Sequence, residues 1–338
     1  MNTMTIRALA KELNLSIGTV SKALKDSHEI SQITKDRVLS GAKAFNYHPN
    51  PFASSLRRKK SNTIAVVIPD VADSFFSVAV KGIEEIAQQK GYHVLVYLTF
   101  ESFLKEKHIL QEVIHGRVDG VLISVSSETN STEHIEEVDE NKIPVVFFDR
   151  VIDGLNFARI MTDDFDSGYT AAQHLLDRGC KKISYLSISR DLTINNKRIQ
   201  GFKKALADAG INDNDNWIVD CTNDGDENYE VVSNLLKKHD RPDGLIAGVE
   251  KLILPVYLLC QVANIRIPQD LKVLSFSNLP TAQILNPSIT TITQPAFSIG
   301  ESAASMLFKT LEKKNQNFRN EIVVLPSVLC ERESTTMR

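Results

Sequence analysis

Residues 5–24, TIRALAKELNLSIGTVSKAL, carry the pattern that decides the fold of the first part of the chain. Four apolar residues at positions i, i+3, i+4 and i+7 indicate a first helix: Ile6, Leu9, Ala10 and Leu13. Asn14 is a suitable residue to end that helix, and Ser16 is a suitable N-cap for a second helix. The stretch therefore predicts two short helices separated by a tight turn.

The second predicted helix has an outer face that contributes nothing to a core. Its inward residues are Val20, Ala23 and Leu24, and those pointing away are Ile17, Gly18, Ser21 and Lys22. Glycine costs a helix about 1 kcal/mol relative to alanine, so Gly18 raises the question of what this face binds. A third helix from about Ser31 is predicted to turn four residues inward: Val38, Leu39, Ala42 and Phe45.

Three such helices form a helix-turn-helix, whose second helix enters the major groove of DNA. The charge agrees with this, because residues 1–60 contain 11 Lys and Arg against 4 Asp and Glu, whereas the rest contains 28 against 38. Four of these cations are consecutive, at residues 57–60, and form either a solvated linker or a contact with a polyanion. A protein-binding three-helix unit is the alternative to a DNA reader.

The composition excludes several classes of protein. No apolar run is long enough to span a membrane, and the N-terminus MNTMTIRALAKEL lacks the pattern of a signal peptide, so a cytoplasmic protein is expected. The four cysteines have no CxxC spacing and are predicted to be reduced packing thiols. No metal or cofactor is expected.

Residues 5–24, together with YHPNPFASSL at residues 47–56, resemble the N-terminal signature of the LacI/GalR bacterial transcription regulators. The rest of the chain resembles that family as far as about Arg332. In the family the base-reading positions fall on Ile17, Gly18 and Lys22. Lys22 can donate to guanine and Ile17 can contact a thymine methyl, whereas Gly18 offers its backbone alone. The DNA-contacting residues that the resemblance implies are Thr5, Ser16, Ile17, Gly18, Thr19, Ser21, Lys22, Asn50, Ala53, Leu56 and Arg57.

The linker YHPNPFASSLRRKK at residues 47–60 encodes a short helix. Asn50 is an acceptable N-cap and Pro51 suits the first helical position. Two turns are too few to be stable alone in water, so the helix is expected to fold on a partner. The resemblance implies that it pairs with its dimer mate in the minor groove, where Leu56 wedges into a base step. Ser54 stands where the family often has Arg.

From Thr63 onward apolar strands alternate with amphipathic helices, which predicts parallel sheets covered on both faces. The series then repeats: GIEEIAQQKG at residues 82–91 resembles GFKKALADAG at residues 201–210. RVDGVLI at residues 117–123 likewise resembles RPDGLIA at residues 241–247. Two related α/β lobes of about 130 residues each are predicted.

The predicted architecture is an all-α helix-turn-helix headpiece (residues 1–48), a hinge helix and linker (residues 49–61), and an effector-binding and dimerisation domain (residues 62–338). The resemblance implies that this last domain is α/β and class I periplasmic-binding-protein-like, with two Rossmann-like lobes. The first lobe is expected at about 62–161 and 291–320, and the second at about 162–290 and 321–332. The cleft between the lobes is the expected ligand site.

Some residues of this sequence match the residues that line the cleft in the family, and others differ from them. The candidate effector-binding residues are Asp70, Phe75, Asp149, Arg150, Arg198, Glu250 and Ser277. Asp73 and Ser74 replace the family's Asn and Pro, and Val249 and Ser277 replace an Asn and an Asp, the latter a residue that commonly anchors sugar hydroxyls. Arg198 matches an arginine that clamps effector oxygens, so an anionic effector such as a sugar phosphate or sugar acid is predicted.

The sequence leaves open the identity of the effector and the role of the polar cleft residues. The effector is a sugar, a sugar phosphate, a sugar acid or a protein coeffector. The polar cleft residues have a second possible role, which is hydrogen bonding between the lobes.

We predict a homodimeric regulator that binds a near-palindromic operator in double-stranded DNA and is expected to repress transcription. An enzyme is disfavoured because the sequence has no GxGxxG, GxxxxGK[ST], HExxH or GxSxG motif. A solute-binding protein of a transporter shares the two-lobed architecture but lacks the N-terminal reader. An activator or an effector-independent regulator also fits these residues.

Overall fold

The computed structural model describes residues 4–47, 60–116, 118–189, 192–211, 217–312 and 319–336. The chain divides into two units, residues 1–61 and residues 62–338.

The first unit contains the three predicted helices, α1 (Ile6–Glu12), α2 (Ile17–Ala23) and α3 (Gln32–Ala44). Hydroxyl groups cap the first two: Thr5 accepts a hydrogen bond from the N–H of Ala8 at 3.2 Å, and Ser16 accepts one from the N–H of Thr19 at 3.0 Å. Asn14 lies between these helices at a φ of 48°, a left-handed conformation that Asn tolerates better than most residues. The short turn follows from these residues.

The headpiece core differs from the prediction on α3. Its buried residues are Leu9, Ala10, Val20, Ala23, Val38 and Ala42. Leu39 and Phe45, which were predicted to point inward, are 52% and 42% exposed. Leu39 is rotated by about 100° from Val38 around the helix, and Phe45 is the C-cap residue beyond the last full turn. Gly41 faces inward instead, where a Cβ would lie 2.8 Å from a methyl carbon of Leu13.

The first lobe of residues 62–338 is built on a parallel six-stranded sheet. In spatial order its strands are β11 (Ile322–Leu325), β5 (Ala158–Thr162), β4 (Val145–Phe148), β3 (Gly120–Ile123), β1 (Thr63–Ile68) and β2 (His93–Leu98). Helices α4 (Ser74–Gln89) and α11 (Ala296–Glu312) pack on one face, and α5 (Phe103–Ile114) and α6 (Glu133–Glu140) pack on the other. Successive residues of β1 are buried on opposite faces, as in a sheet covered on both sides.

The second lobe repeats this plan with one antiparallel edge strand. In spatial order its strands are β12 (Val328–Cys330), β10 (Thr290–Thr293), β9 (Lys272–Phe276), β8 (Gly244–Ala247), β6 (Ile183–Ser187) and β7 (Ile218–Asp220). Helices α7 (Asp164–Asp177) and α8 (Thr193–Asp208) cover one face, and α9 (Gly225–Lys237) and α10 (Ile253–Val262) cover the other. The two predicted α/β lobes are thus present.

The chain passes between the lobes three times, and two of these crossings differ from the predicted positions. It crosses after β5, after β10 and after β11. β10 was assigned to the first lobe but pairs with β9 of the second, and β11 was assigned to the second lobe but pairs with β5 of the first. Short apolar strands of the two sheets have the same residue pattern, so local sequence does not determine which sheet a strand joins.

Glycines allow two helix pairs to pack backbone to backbone, one pair in each lobe. A Cβ at Gly82 of α4 would lie 2.2 Å from the carbonyl oxygen of Phe297 of α11, and one at Gly300 would lie 2.0 Å from that of Ala79. In the second lobe, a Cβ at Gly201 of α8 would lie 2.0 Å from the carbonyl oxygen of Phe165 of α7. Gly82 and Gly201 begin the two similar decapeptides of the sequence, so the repeat includes this close contact.

No helix of the described residues is both long and apolar enough to cross a membrane, and no group of three or more metal-binding side chains is found among them. The four cysteines are free, and three of them are buried: Cys180, Cys221 and Cys260. Burial raises the pKa of Cys180 and Cys221 to about 12, which makes both thiols poor nucleophiles.

Candidate DNA-reading helix and interlobe cleft

The outer face of α2 presents Lys22 in an exposed ion pair. Its Nζ contacts the carboxylate of Glu29, and the two side chains are 52% and 54% exposed. An ion pair that is open to solvent on both sides contributes about 0 to 1 kcal/mol. Lys22 can therefore exchange Glu29 for a base edge at little cost.

Gly18 and Ile17 lie in different environments on this helix. A Cβ at Gly18 would meet Ser16 Oγ at 3.7 Å, an ordinary contact, so packing within the described headpiece does not require glycine there. Ile17, which was predicted to point away from the core, is half-buried and packs against it. A part of the Ile17 side chain thus stays available for a base contact.

The other predicted DNA contacts divide into two groups. Thr5, Ser16, Thr19 and Ser21 lie at the start of α1 or on α2, and Ser16 and Thr19 are also hydrogen-bonded through their hydroxyls at 2.8 Å. The hinge helix and the predicted contacts within it lie outside the described residues: Asn50, Ala53, Leu56 and Arg57.

A cavity of about 600 Å³ lies between the two lobes of residues 62–338. Its lining residues follow the carboxyl ends of the strands: Asp70 follows β1, Asp149 follows β4, Glu250 follows β8 and Ser277 follows β9. Open α/β sheets bind ligands at this edge. The cavity is lined by all of the predicted effector-binding residues: Asp70, Phe75, Asp149, Arg150, Arg198, Glu250 and Ser277.

Arg198 of α8 is bound to the protein itself. It is 5% exposed, its Nε donates to Asp164 Oδ1 at 3.0 Å, and its Nη1 donates to the carbonyl oxygen of Gly248 at 3.2 Å. One face of the guanidinium covers the ring of Phe276, 4.2 Å from the ring centroid. Two nitrogens of the Arg198 guanidinium are thus already hydrogen-bonded within the protein, which leaves fewer of them for an anionic ligand.

Glu250 connects the two lobes. Its Oε1 accepts a hydrogen bond from the N–H of Ser74, at the start of α4, at 2.8 Å, and its Oε2 accepts one from the hydroxyl of Ser74. Within its own lobe, Glu250 Oε2 accepts bonds from the hydroxyl of Ser277 at 3.1 Å and from the N–H of Asn278 at 3.3 Å. Glu250 therefore makes the lobe-to-lobe hydrogen bonds that the sequence left open as a role, and Ser277 holds it from within its own lobe.

Arg150 is neutralised within the first lobe. Its Nη1 lies 2.9 Å and 2.8 Å from the two carboxylate oxygens of Glu101, and its guanidinium lies 5.6 Å from the ring centroid of Phe76. Burial opposes ionisation of Glu101, but Arg150 and a hydrogen bond from the N–H of Ser127 hold its pKa below the ordinary value. Arg150 is therefore paired before any ligand arrives.

Two carboxyl groups of the cleft have raised pKa values. Asp73 caps α4 by accepting a hydrogen bond from the N–H of Phe75 at 2.9 Å, and burial, helped by the charge of Glu250, raises its pKa to about 6. Asp149 is 6% exposed, and burial raises its pKa to about 6 although Arg150 and Arg198 oppose this. Both groups ionise at neutral pH at a cost in free energy.

Sequence reasoning missed the partners of these residues. Asp164 binds Arg198, Gln294 donates to Asp149 at 3.2 Å, and Asn278 donates to Glu250. Each follows directly after a strand or one to two residues beyond it. A search for polar residues just after predicted strands would have selected all three.

A helix-turn-helix with an exposed second helix, joined to a two-lobed α/β domain with a central cleft, defines a class of DNA-binding transcription regulators. Residues 5–50 match the model of the bacterial regulatory proteins of the lacI family, and residues 61–327 match that of the periplasmic binding proteins and sugar binding domain of the LacI family. The chain belongs to the LacI family. Members of this family are transcription regulators and not enzymes.

Similar proteins span the whole chain. Catabolite control protein A of Priestia megaterium is 30% identical over 334 residues, which are 98% of this chain and 99% of that protein. The ribose operon repressor of Halalkalibacterium halodurans is 31% identical over 332 residues, 98% of this chain and 97% of the relative. The lac repressor dimer bound to operator and the anti-inducer ONPF has the same fold, with a TM-score of 0.87 at 20% sequence identity, over 99% of this chain and 100% of that one.

Proposed function

We propose that this regulator binds a near-palindromic operator as a homodimer in the cytoplasm and represses transcription. Two copies of α2 related by a two-fold axis would read two half-sites of opposite orientation. The observation that supports this most is the exposed outer face of α2, with Lys22 held by a weak ion pair and Gly18 open to approach. The names of its relatives, an operon repressor among them, favour repression over activation.

Selection of bound sequences from random DNA tests this proposal. We expect an inverted repeat whose half-sites contact α2, and a complex containing two chains, as measured by multi-angle light scattering on the selected duplex. The control is the same protein with Lys22→Ala and Ser21→Ala, which keeps the buried residues of α2. Enrichment of no sequence, or of a site occupied by one chain, would contradict the proposal.

The interlobe cleft is proposed to bind a small effector of carbohydrate type. Its volume of about 600 Å³ suits a small ligand, and the family model includes a sugar binding domain. The position of Arg198 beside Asp164 does not favour the sugar phosphates and sugar acids that its sequence context predicted. An effector acts on DNA binding only if it binds one arrangement of the lobes more tightly than the other.

An effector-independent regulator is the second candidate. The hydrogen bonds between Glu250 and Ser74 join the lobes through the protein's own groups. A thermal-shift screen of sugars distinguishes the two candidates, because a ligand at 100 times its dissociation constant adds about 2.7 kcal/mol of stability. A stabilising ligand that also changes affinity for the selected DNA supports the effector.

A further inference from the structure

The charges of the described residues that line the interlobe cleft do not balance. The described lining residues include five acidic side chains, Asp70, Asp73, Glu101, Asp149 and Glu250, and three basic ones, Arg150, Arg198 and Lys251. Arg150 is bound to Glu101, and Arg198 is bound to Asp164. Four carboxyl groups and one lysine then remain among the described residues of the cleft.

Lys251 does not neutralise these carboxyl groups by direct contact. Its Nζ donates to the side-chain oxygen of Asn223 at 2.6 Å, and it has no ion pair within 4.0 Å among the described residues. Burial lowers the pKa of Lys251, whereas the charges of Glu101, Asp73 and Asp70 act to raise it, as negative surroundings do. An added anion would therefore meet an excess of negative charge among the described lining residues.

Two hydrogen-bond acceptors of the same cleft are buried with few donors to them among the described residues. Asp149 is more than nine-tenths buried and accepts one described hydrogen bond, from Gln294 at 3.2 Å. The amide of Asn278 donates to the carbonyl oxygen of Gln294 at 2.7 Å, which fixes its orientation, and its own side-chain oxygen is buried without a partner. Buried acceptors without donors cost free energy until a ligand supplies them.

Asp73 places an additional carboxylate on the first-lobe side of the cleft. It lies near enough to Asp149 and Glu250 for the charges of both to raise its pKa. The side chains of Phe75, Leu254 and Phe276 supply apolar surface beside these acids. The combination fits a ligand with a carbon skeleton and a positively charged group.

We propose that the effector carries a protonated amine, which Asp73 and Asp149 select over a neutral hydroxyl or an anion. This inference rests on the cleft being the effector site of the proposed function. An ammonium group donates up to three hydrogen bonds and neutralises the negative charge of the carboxylates. A hydroxyl donates one hydrogen bond, and a phosphate is mainly an acceptor. Amino sugars are the class of compound that joins this group to the carbohydrate type.

The amine should bind more weakly as the pH falls below about 6, where Asp73 and Asp149 take up protons. The charged groups that act on Asp73 are Glu250, Arg150 and Asp149, and those that act on Asp149 are Arg150, Arg198 and Asp164. None of these neighbours is a histidine, so the amine and the two carboxyl groups determine the direction of the change.

The test uses the full-length protein and a panel of glucosamine, galactosamine and mannosamine, with their parent sugars and 6-phosphates at equal millimolar concentrations. We expect at least one amine to raise the thermal midpoint more than its parent sugar and its phosphate do. Calorimetry then gives its dissociation constant, which we expect to increase by about tenfold or more for Asp73→Asn. Asn is also a good N-cap, so this variant keeps the cap of α4.

Asp224→Asn is the matched control, because Asp224 is an exposed N-cap of α9 that does not line the cleft. It should bind the amine as the unchanged protein does. Stronger stabilisation by a parent sugar or a phosphate, or no response to any of the amines, would overturn the proposal. Equal weakening by Asp73→Asn and Asp224→Asn would also overturn it.

Binding to the selected operator is measured on the same samples. If a neutral sugar or a phosphate changes operator affinity while the amines do not, the inference fails and the proposed function stands. If no operator is selected, the proposed function fails independently of the ligand.

Discussion

Gly18 lowers the stability of α2 without any packing reason in the described headpiece. Gly18→Ala should stabilise the headpiece by up to about 1 kcal/mol, because alanine has the higher helix propensity. The added Cβ would make only an ordinary van der Waals contact with Ser16 Oγ. Operator affinity should fall in the same variant, since the added methyl group stands between backbone and base edge. Urea unfolding and fluorescence anisotropy measure the two effects. Unchanged operator affinity would show that DNA does not approach Gly18.

Lys22 is the residue of α2 with the most direct means of reading a base. Lys22→Ala should cost about 1 to 3 kcal/mol of binding free energy on the preferred operator and relax the preference at one base pair in each half-site. Lys43→Ala on α3 is the control for loss of a positive charge. Titrations on single-base operator variants measure the change. Equal weakening on every sequence would instead identify Lys22 as a phosphate contact.

Arg198 and Asp164 form a pair whose side chains are 6% and 2% exposed. Arg198→Ala should destabilise residues 62–338 by about 3 to 5 kcal/mol, since it leaves the carboxylate of Asp164 buried without its counter-charge. Lys204→Ala breaks the exposed pair with Asp208 and should reduce the stability far less, because water solvates both of these charges. Urea unfolding compares the variants. Similar losses of stability in the two variants would mean that another group compensates the charge of Asp164 when Arg198 is removed.

At the scale of elements, the close packing of α7 on α8 depends on Gly201. Gly201→Ala should destabilise the second lobe by about 1 to 3 kcal/mol, because its Cβ would meet the Phe165 carbonyl oxygen and push the helices apart. Gly225→Ala on α9 is the matched control, since no atom lies within 4 Å of its added Cβ. Guanidinium unfolding measures both variants. A loss in the control as large as in Gly201→Ala would contradict the packing argument.

The sequence predicted the elements better than their long-range partners. Hydrophobic spacing and capping residues determined α1 and α2, and the repeated decapeptides indicated two similar lobes. The assignments of β10 and β11 were wrong because pairing between strands depends on contacts that local patterns do not encode. The bond between Glu250 and Ser74 joins residues 176 positions apart, and Arg198 binds an acid that no motif singled out. Cleft membership was thus predictable, whereas the bonding within the cleft was not.

For residues 62–338 as a whole, buried carboxyl groups determine part of the pH dependence of stability. The folded pKa of Asp73 and of Asp149 is about 6, above the ordinary value of 3.8. Between these values the folded state binds more protons than the unfolded state, so the contribution of both groups to stability falls as the pH rises from about 4 to about 6.

Asp73→Asn should therefore be more stable than the unchanged protein at neutral pH, by about 1 to 3 kcal/mol, and about equally stable below pH 4. Urea unfolding across this pH range measures the difference. Asp224→Asn, at an exposed cap, should show no such gain. A constant difference at every pH would mean that burial of the Asp73 charge is not its cause.

The three crossings between the lobes also have a consequence for synthesis on the ribosome. Each lobe receives an edge strand from the last part of the chain, β11 for the first and β12 for the second. Ser334 and Thr335 are fully buried as well. A nascent chain that stops before Ile322 therefore contains the whole DNA reader but lacks one strand of each sheet. Neither lobe can be completed before the other is almost fully translated, and premature termination damages both lobes at once.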